Sequence, residues 1–529
     1  MKAMRGSSTP LRFAELNVIR KSWSRVKVRV ALCYPNVYRA GMTGLTVQQL
    51  YYLFNLHEEV LCERCFLGGG EPRTVESYAD LRSFDVLAFT MQYEEDYVNM
   101  LRMLMRAGIN PLKSERRESD PIVIAGGQAV SANPTLISAF ADAVFIGELE
   151  PKLPELLDSL MDGRSKAEKL LSLSDIDCVY VEGKDYVKRS TAVNLDDTPH
   201  IVAQVTPTDR SEVLDPIFAD ALYVEVSRSC GRRCRFCLLA WTNGPFRYRS
   251  YDRFIELLEE GLKRSSASKV VFIGANVFDV PRLKDMCRDV LNRGLSLSIP
   301  SLRPDAVDHE LLELIKRGGQ RSLALGFEST SYNLRCFLGK SYPDEVIEES
   351  FELASKYGIR DIKAYLIVGL PGESPADVEA CGDTFRRLAS KYNVNVHVSI
   401  NPLIPKPNTP LQWLPPLKPA QVREIYRAYL KALRHRRVKV DTLKPHRAYV
   451  QSMLSLADVT MAPKLLQLAM MDHATWSLMS RELEKVFCNP REENPWDVVD
   501  LGFPRDELKR QFKMALEVVG ASEQLARWL

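Results

Sequence analysis

Short β-rich runs alternate with amphipathic helical stretches through the first third of the chain. The runs lie near residues 26–33, 60–66, 85–91, 121–127 and 141–147. Helical patterns follow over about 45–56 and 93–107, and again up to about 162. This alternation predicts an α/β domain over residues 1–164 with a doubly wound, Rossmann-like parallel sheet, whose ligands lie at the carboxyl ends of the strands.

A second strand–helix series occupies residues 216–414, after an irregular connector over residues 165–215. Its predicted strands lie near 222–227, 269–274, 296–300, 322–326, 361–368 and 395–401. Six such units predict a partial (β/α)6, TIM-like barrel with its site at the strand carboxyl ends. Residues 415–529 are mostly helical in pattern and include a basic patch at 434–439. We therefore expect three folded regions and one connector.

Length and composition narrow the class of protein. A chain of 529 residues is too long for one core, and 46% apolar with 26% charged residues is ordinary for a globular protein. The formal net charge of +3 neither requires nor excludes nucleic acid. No apolar run is long enough to cross a membrane, and the first residues lack an apolar secretory segment. We therefore expect no transmembrane segment, a cytoplasmic location and reduced thiols.

Three of the eleven cysteines lie in one short segment. Cys230, Cys234 and Cys237 have the spacing C-x3-C-x2-C. Three thiolates hold three irons of a [4Fe–4S] cube and leave the fourth iron open to a ligand. The alternatives are chance spacing and zinc, but zinc prefers four N or S ligands, and no histidine lies between His200 and His309. The spacing therefore favours an iron–sulfur cluster with an open iron.

The cysteine segment resembles the radical SAM superfamily, and the resemblance covers about residues 215–414. An aromatic residue, Phe236, precedes the third cysteine, and Leu325-Gly-Phe-Glu328 resembles the Gly-x-Glu segment of the fourth strand. The Gly-Gly-Glu turn of the family reads Gly274-Ala-Asn276 here, without its acidic residue. The resemblance implies these contacts to S-adenosylmethionine (SAM): Phe236, Gly274, Ala275, Asn276, Ser301, Arg303, Glu328, Lys363 and Gly369.

This resemblance also implies a reaction. An electron from a donor such as ferredoxin or flavodoxin cleaves SAM at the open iron and releases a 5′-deoxyadenosyl radical. That radical abstracts a hydrogen atom, a step that needs no general base, so no catalytic acid or base is assigned. The cofactors carry this chemistry, and the protein positions them and excludes water.

The first domain resembles the cobalamin-binding domains attached to many radical SAM enzymes, through residues 34–45, 84–90, 125–129 and 146–150. Domains that ligate cobalt carry Asp-x-His-x-x-Gly after the first strand, whereas Tyr38 replaces the histidine here. A phenol with a pKa of about 10 is a poor cobalt ligand. The alternative is a domain that kept the fold and lost the cofactor. The cobalamin candidates are Asn36, Tyr38, Gly41, Gly126 and Gly127.

Three functional hypotheses follow. The first is cobalamin-dependent methylation of an unactivated carbon. The second is another radical SAM modification without cobalamin, such as methylthiolation, carbon–carbon coupling or ring formation; methylthiolation usually needs a second cluster, for which Cys33, Cys62 and Cys65 are available. The third is a structural Fe–S scaffold that binds RNA or protein through residues 434–439. The substrate stays open among a protein side chain, a tRNA base and a lipid chain.

Overall fold

The computed structural model describes residues 13–161, 165–208, 211, 214, 220–471, 474–489 and 493–521. The predicted boundaries at 164, 215 and 216 include positions outside these residues. The N-terminal domain contains a six-stranded sheet in the order β2-β1-β3-β4-β5-β6, parallel except for the last strand. Its strands are β1 (Val28–Tyr34), β2 (Val60–Phe66), β3 (Val86–Thr90), β4 (Ile122–Gly126), β5 (Ala143–Phe145) and β6 (Val179–Tyr180).

Helices cover both faces of this sheet, which is why its strands are apolar on both sides. Ala31 of β1 belongs to one core with Leu101, and Leu32 belongs to the opposite core with Phe54. The doubly wound class is confirmed. The helices of this domain are α1 (Tyr38–Met42), α2 (Thr46–Leu56), α3 (Asp96–Arg106), α4 (Gln128–Ala132), α5 (Leu153–Met161) and α6 (Lys166–Asp175).

The central domain is a partial barrel of parallel strands in two hydrogen-bonded groups, β7-β8-β9 and β10-β11-β12-β13. A parallel bridge between Leu302 and Leu325 connects the groups. The strands are β7 (Ala221–Glu225), β8 (Lys269–Ile273), β9 (Ser296–Ser298), β10 (Ser322–Glu328), β11 (Asp361–Val368), β12 (Asn395–Pro402) and β13 (Val438–Thr442).

The described barrel therefore has seven strands where the sequence predicts six. The seventh, β13, lies beyond residue 414, in the region predicted to be mostly helical, and it includes Lys439 of the basic patch. Its five residues, VKVDT, alternate apolar and polar side chains, as expected for an edge strand with one covered face. The barrel sheet thus continues past the predicted boundary.

Helices pack against the outer face of the barrel, while the N-terminal region covers part of its concave face. Leu45 and Ile201 pack against Tyr223 of β7 and Val271 of β8. This contact closes the concave side over the first two strands only. The barrel helices are α7 (Leu238–Thr242), α8 (Tyr251–Arg264), α9 (Leu283–Asn292), α10 (His309–Arg317), α11 (Tyr332–Leu338), α12 (Glu345–Lys356), α13 (Pro375–Lys391) and α14 (Pro419–Ala432).

Four helices end the described chain: α15 (Pro445–Ser455), α16 (Ala462–Met470), α17 (Trp476–Glu484) and α18 (Asp506–Val518). They connect the other two domains. The Arg102 guanidinium of α3 donates to the Ala469 carbonyl at 3.3 Å, and Phe512 of α18 packs on Trp413 with ring centroids 5.4 Å apart. None of the described helices combines the length and apolar character needed to cross a membrane.

Candidate cluster and cofactor site

The three cysteines of the C-x3-C-x2-C segment lie on the loop between β7 and α7. Cys234 is buried, and Cys230 and Cys237 are half-buried. Cys237 immediately precedes the first turn of α7. Ser229 and Arg233 have positive φ angles of 65° and 46°, so the loop is sharply turned on both sides of Cys230. The loop therefore presents all three thiols at the carboxyl end of the first barrel strand.

Backbone and side-chain hydrogen bonds hold this loop against α11. The Arg235 amide donates to the Leu338 carbonyl at 2.9 Å, and its guanidinium donates to the Cys336 carbonyl at 2.6 Å. The Trp241 indole N–H donates to the Cys234 carbonyl at 3.0 Å. The fixed positions of the thiols therefore depend on α7 and α11 as well as on the loop itself.

The donor set fits a [4Fe–4S] cluster better than a single ion. Within the described ranges, no three His, Cys, Asp or Glu side chains are placed to share one metal ion. A cube takes one thiolate at each of three separate irons, so its protein ligands need not converge on one point. Cys230, Cys234 and Cys237 are the residues that would hold it.

Two cationic side chains, Arg303 and Lys340, lie near the buried thiol of Cys234. The Arg303 Nη1 atom lies 3.8 Å from Cys234 Sγ, and Arg303 also pairs with Asp305 at 2.9 Å. Burial raises the pKa of Cys234, while the charges of Lys340 and Arg303 act in the opposite direction. Burial also raises the pKa of Cys237, to about 11. Fixed positive charge at this site favours thiolates and the negative charge of a thiolate-bound cluster.

Glu328 and Lys340 form a buried ion pair beside this loop. The Lys340 Nζ atom lies 2.7 Å from Glu328 Oε1, and it donates to the Gly326 carbonyl at 2.9 Å. The same ammonium lies 5.9 Å from the centre of the half-buried Phe236 ring. Glu328 has a φ of 61°, an uncommon conformation for a non-glycine residue. Phe236, Glu328 and Lys340 are thus far apart in the sequence but lie together at one end of β10.

The turn after β8 is held tightly. A Cβ atom on Gly274 would overlap the Ser227 hydroxyl, so this position requires glycine. The Ser227 hydroxyl donates to the Asn276 carbonyl at 3.3 Å, and the Asn276 amide donates to Asp279 at 2.6 Å. The side chain of Asn276 therefore stabilises the turn, whereas Gly274 and Ala275 line a cavity.

The remaining predicted SAM contacts are dispersed. Ser301 is exposed after β9. Gly369 has a φ of 74°, and a Cβ there would overlap the Leu417 side chain, so this glycine lets that side chain pack against the backbone. Lys363 is level with Ala324, whereas Glu328 is level with Leu366. Lys363 therefore lies three residues, about 10 Å of strand, nearer the amino end of the barrel than Glu328.

One cavity of about 570 Å³ lies between the N-terminal sheet and the first barrel strands. Gly126 and Gly127 line it from the carboxyl end of β4, and Gly274 and Ala275 line it from the turn after β8. Gly127 has a φ of 109°, and a Cβ there would overlap the Met91 backbone. The cavity thus joins the predicted cobalamin turn to the predicted SAM turn.

Asn36, Tyr38 and Gly41 are outside the lining of this cavity. Tyr38 is 1% exposed, and its hydroxyl donates to Glu15 Oε1 at 2.6 Å. Gly41 packs on the rings of Phe66 and Tyr34, and the Asn36 side chain accepts from the Val37 amide at 2.9 Å. The position equivalent to the cobalt-binding histidine is therefore part of the domain's own core.

Residues 146–150, at the end of the N-terminal sheet, meet Arg228 and Arg247 at the cavity wall. Glu148 accepts from both Nη atoms of Arg247, at 2.7 and 2.8 Å, and pairs with Arg228 at 3.1 Å. Arg228 also pairs with Glu150 at 2.6 Å and with Glu225 at 2.8 Å. Burial would raise the pKa of Glu148, but Arg247 and Arg228 outweigh it and hold that pKa below its usual value. This network joins the N-terminal sheet to the antiparallel pair Ser227–Arg228 and Arg247–Tyr248, which encloses the cluster loop.

Arg189, from the predicted connector, lines the same cavity with incomplete hydrogen bonding. Its Nη2 donates to the Gly244 carbonyl, but its buried Nε has no partner within the described structure. No described carboxylate lies within ion-pair distance of it, and burial lowers its pKa. Sequence reasoning missed Arg189, Lys340 and Arg228, because nothing in the local sequence distinguishes them from surface cations.

Comparisons with known proteins agree with this geometry. Residues 46–182 match the family described as radical SAM proteins, N-terminal, and residues 224–384 match the radical SAM superfamily. The chain belongs to the radical SAM superfamily. Membership implies a [4Fe–4S] cluster and SAM as cofactors, and it makes the protein an enzyme of this class.

Three curated relatives each resemble more than half of this chain. An uncharacterised protein of Methanocaldococcus jannaschii is 29% identical over 72% of this chain and 78% of its own length. An uncharacterised methyltransferase of Pyrococcus horikoshii is 28% identical over 51% of this chain and 59% of its own length. A tRNA-2-methylthio-N(6)-dimethylallyladenosine synthase of Coxiella burnetii is 23% identical over 59% and 66%.

Solved structures share the fold. The radical SAM methyltransferase TsrM of Kitasatospora setae, with cobalamin and a [4Fe–4S] cluster bound, has a TM-score of 0.55 at 15% identity, over 87% of this chain and 99% of that one. The cobalamin-dependent radical SAM enzyme OxsB, with aqua-cobalamin and SAM bound, has a TM-score of 0.50 at 13% identity, over 94% and 80%. These likenesses confirm the predicted fold class, a mixed α/β chain with a parallel sheet and a helical C-terminal region.

Proposed function

We propose that this chain is a cytoplasmic, cobalamin-dependent radical SAM methyltransferase that methylates an unactivated carbon. One observation carries the proposal: a single cavity contacts both Gly126–Gly127 of the N-terminal sheet and Gly274–Ala275 of the SAM turn. A methyl carrier and SAM must both reach one substrate, and a shared cavity permits that. The named cofactors of TsrM and OxsB and the methyltransferase name of the Pyrococcus relative support the proposal.

The cavity fits the parts of cobalamin. Its apolar arm runs between the sheet and the helices α2 and α5, which suits a flat dimethylbenzimidazole. The residues of this arm are Leu32, Leu53, Phe54, Ala88, Ile124, Phe145 and Leu156. The polar part contains Arg189, whose free Nε suits the one phosphodiester of cobalamin. The lining contains no histidine, so these residues supply no imidazole ligand to cobalt.

Bound cobalamin would supply a methyl group for transfer to carbon. The residues of the chain act by holding, orienting and excluding water. Gly126, Gly127 and Gly274 let the backbone approach the cofactors closely. The Lys340 ammonium orients Glu328. In this proposal Glu328 accepts from a ribose hydroxyl of SAM. The network around Arg228 holds the two halves of the cavity wall together. A low-potential ferredoxin or flavodoxin supplies the electron.

Methylthiolation is the second candidate, because the Coxiella relative carries that activity in its name. It usually needs a second cluster on three further cysteines. Cys33 and Cys65 pair across neighbouring strands and lie in one core, whereas Cys62 lies in the core on the opposite face of the sheet. All three are 0% exposed. These three thiols therefore do not form one site, which favours methylation over methylthiolation.

The test is anaerobic purification followed by iron, cobalt and 5′-deoxyadenosine assays. The proposal predicts about four irons per chain, one cobalamin after reconstitution, and deoxyadenosine formation that depends on dithionite and SAM. About eight irons without cobalamin would instead support methylthiolation. An intact cluster that never cleaves SAM would contradict both candidates.

A further inference from the structure

Among the described residues, the concave face of the barrel is covered on one side only. Leu45 and Ile201 pack on β7 and β8, whereas the concave face of β10 to β13 is partly exposed. Along β11 and β12 the residues alternate strictly between buried and half-buried after the first position. The buried set packs against the outer helices. The half-buried set therefore faces the lumen, on the side that the N-terminal domain leaves uncovered.

Three basic side chains form a row across this uncovered face. Lys363 of β11 is in register with His397 of β12, which is in register with Lys439 of β13. Residues in register on parallel strands point to the same face, with strands about 4.8 Å apart. The next row toward the cluster is Tyr365, Ser399 and Asp441. The uncovered face is thus polar, in contrast to the apolar half beneath Leu45.

The two lysines of this row lack acidic partners within the described structure. His397 Nε2 lies 2.6 Å from Asp441 Oδ2, so the Asp441 carboxylate is paired with His397 and not with either lysine. The Lys363 ammonium lies 5.1 Å from the Tyr365 ring centre and makes no ion pair among the described residues. Lys439 is exposed and likewise makes none there. The half-buried Lys363 ammonium favours an anionic partner, and the described residues supply none to it.

Positive charge continues at the amino edge of the same strands. An arginine directly precedes three of them: Arg321 before β10, Arg360 before β11 and Arg437 before β13. Arg360 donates only to the Ser355 hydroxyl and to backbone carbonyls. Asp361 directly follows Arg360 in the sequence and carries a negative charge on this edge. Its carboxylate accepts from the Asn395 amide at 3.1 Å. This edge would therefore attract an anion toward the lumen.

Beside the row, β10 carries small residues, and a Cβ on Gly326 would lie 3.0 Å from both Glu328 Oε1 and Lys340 Nζ. Ala324 of β10 is in register with Lys363, and Gly326 is in register with Tyr365. Gly326 also accepts from Lys340, the residue that pairs with Glu328 beside the cluster loop. The half-buried, lumen-facing strip of β10 and β11 between the basic row and the Lys340–Glu328 pair, which we call the trough, spans about three to five residues, or roughly 10–17 Å. That length suits a small organic molecule.

We propose that this trough is the substrate site, and that Lys363, His397 and Lys439 bind a carboxylate or phosphate group of a small organic substrate. The anionic end would sit on the basic row, with the reacting carbon toward Glu328 and the cluster loop. The inference rests on the proposed function for the identity of the reaction, but not for the binding of an anion. Lys363 thereby has a role in substrate binding instead of the SAM contact expected from the sequence.

The experiment is calorimetric titration of the full chain, anaerobically reconstituted and saturated with SAM and cobalamin, with inorganic phosphate and with citrate. Saturation removes other anion sites at Arg303 and Arg189 from the measurement. The test variant is Lys363→Met with Lys439→Met. The matched control is Lys316→Met with Lys356→Met, which removes two exposed lysines from the outer helices. Iron content and circular dichroism check that each variant is folded.

We expect the wild type and the control to bind one of the two anions, and the test variant to bind it at least tenfold more weakly. Preference for phosphate or for citrate identifies the recognised group. Equal affinity of the test variant and the control would overturn the proposal, as would a wild type that binds neither anion.

Parallel assays of SAM cleavage by the wild type separate the two claims. Deoxyadenosine formation without anion binding at this row overturns the substrate site and leaves the proposed reaction intact. Row-dependent anion binding without deoxyadenosine formation supports the site and contradicts the proposed reaction.

Discussion

Glu148 and Arg247 are 99 positions apart in the chain, yet both guanidinium Nη atoms of Arg247 contact the Glu148 carboxylate, at 2.7 and 2.8 Å. Glu148 follows β5 of the N-terminal sheet. Arg247 lies on the short strand Arg247–Tyr248, which follows the cluster loop and pairs with Ser227–Arg228. Their side chains are 12% and 6% exposed. This pair fixes the position of one domain against the other at the wall of the shared cavity.

Glu148→Gln should destabilise this junction. The change leaves Arg228 and Arg247 with less negative charge in a buried setting, and breaking one side of a buried pair costs about 3–5 kcal/mol. We expect a lower urea midpoint and faster proteolysis in the connector. The control is Glu155→Gln, which removes a carboxylate from an exposed pair with Lys152. Identical midpoints for the two variants would show that the network contributes little.

Lys340→Met should weaken SAM binding while the cluster remains. Without the ammonium, Glu328 is left as a buried carboxylate without its ion-pair partner, and it loses its orientation. A lost charge-assisted hydrogen bond of about 1.5–3 kcal/mol corresponds to an affinity loss of about 10-fold or more. SAM affinity is measured by equilibrium dialysis, and iron is counted on the same samples. Lys263→Met, at an exposed helix end, is the control. Lys340→Arg should restore part of the affinity, and unchanged affinity in Lys340→Met would refute this role.

Arg189→Met should weaken cobalamin binding without destabilising the empty protein. The wild-type guanidinium is partly buried, has an unpaired Nε and lacks an ion pair in the described structure, so removing it costs the empty protein little. Binding of aqua-cobalamin is followed by fluorescence quenching, and we expect a loss of about 10-fold for one charged hydrogen bond. Arg117→Met, on the surface of the same half of the protein, should bind as the wild type does. A lower thermal midpoint with unchanged binding would instead assign Arg189 a structural role.

His200 should make stability depend on pH below neutrality. Burial, together with the charge of Arg249, lowers its pKa from 6.5 to about 4. The neutral ring accepts from the Glu225 amide at 3.0 Å and lies 3.0 Å from the Ile201 carbonyl. Because the folded pKa is depressed, its contribution is complete above pH 6.5 and is lost as pH falls toward 4, by at most about 3 kcal/mol.

Urea unfolding between pH 7 and pH 4 checks this expectation. His200→Gln should be less stable at pH 7 but should lose less stability over that interval than the wild type does. Parallel pH curves for the two proteins would mean that His200 does not govern the acid side of the profile.

Local patterns were sufficient for the fold class and for the cluster ligands. Strand–helix alternation predicted the doubly wound sheet and the barrel, because side-chain periodicity reflects which faces of an element are covered. Cys230, Cys234 and Cys237 are close in sequence, so one loop brings them together whatever the rest of the chain does. The same local method missed β13, since five alternating residues between helices carry a weak signal.

Contacts between distant segments could not be obtained in this way. Tyr38 matches a cofactor motif by position, but only the packing of Glu15 against it shows that it lies in the core. Cys33 and Cys62 are both fully buried cysteines on neighbouring strands, yet strand register places them on opposite faces of the sheet. The sequence by itself determined most of the elements and the three candidate cluster cysteines, because those depend on neighbours along the chain. Tertiary structure alone decided the shared cavity, the Glu148–Arg247 junction and the basic row, because each depends on side chains that meet only when separate strands are aligned.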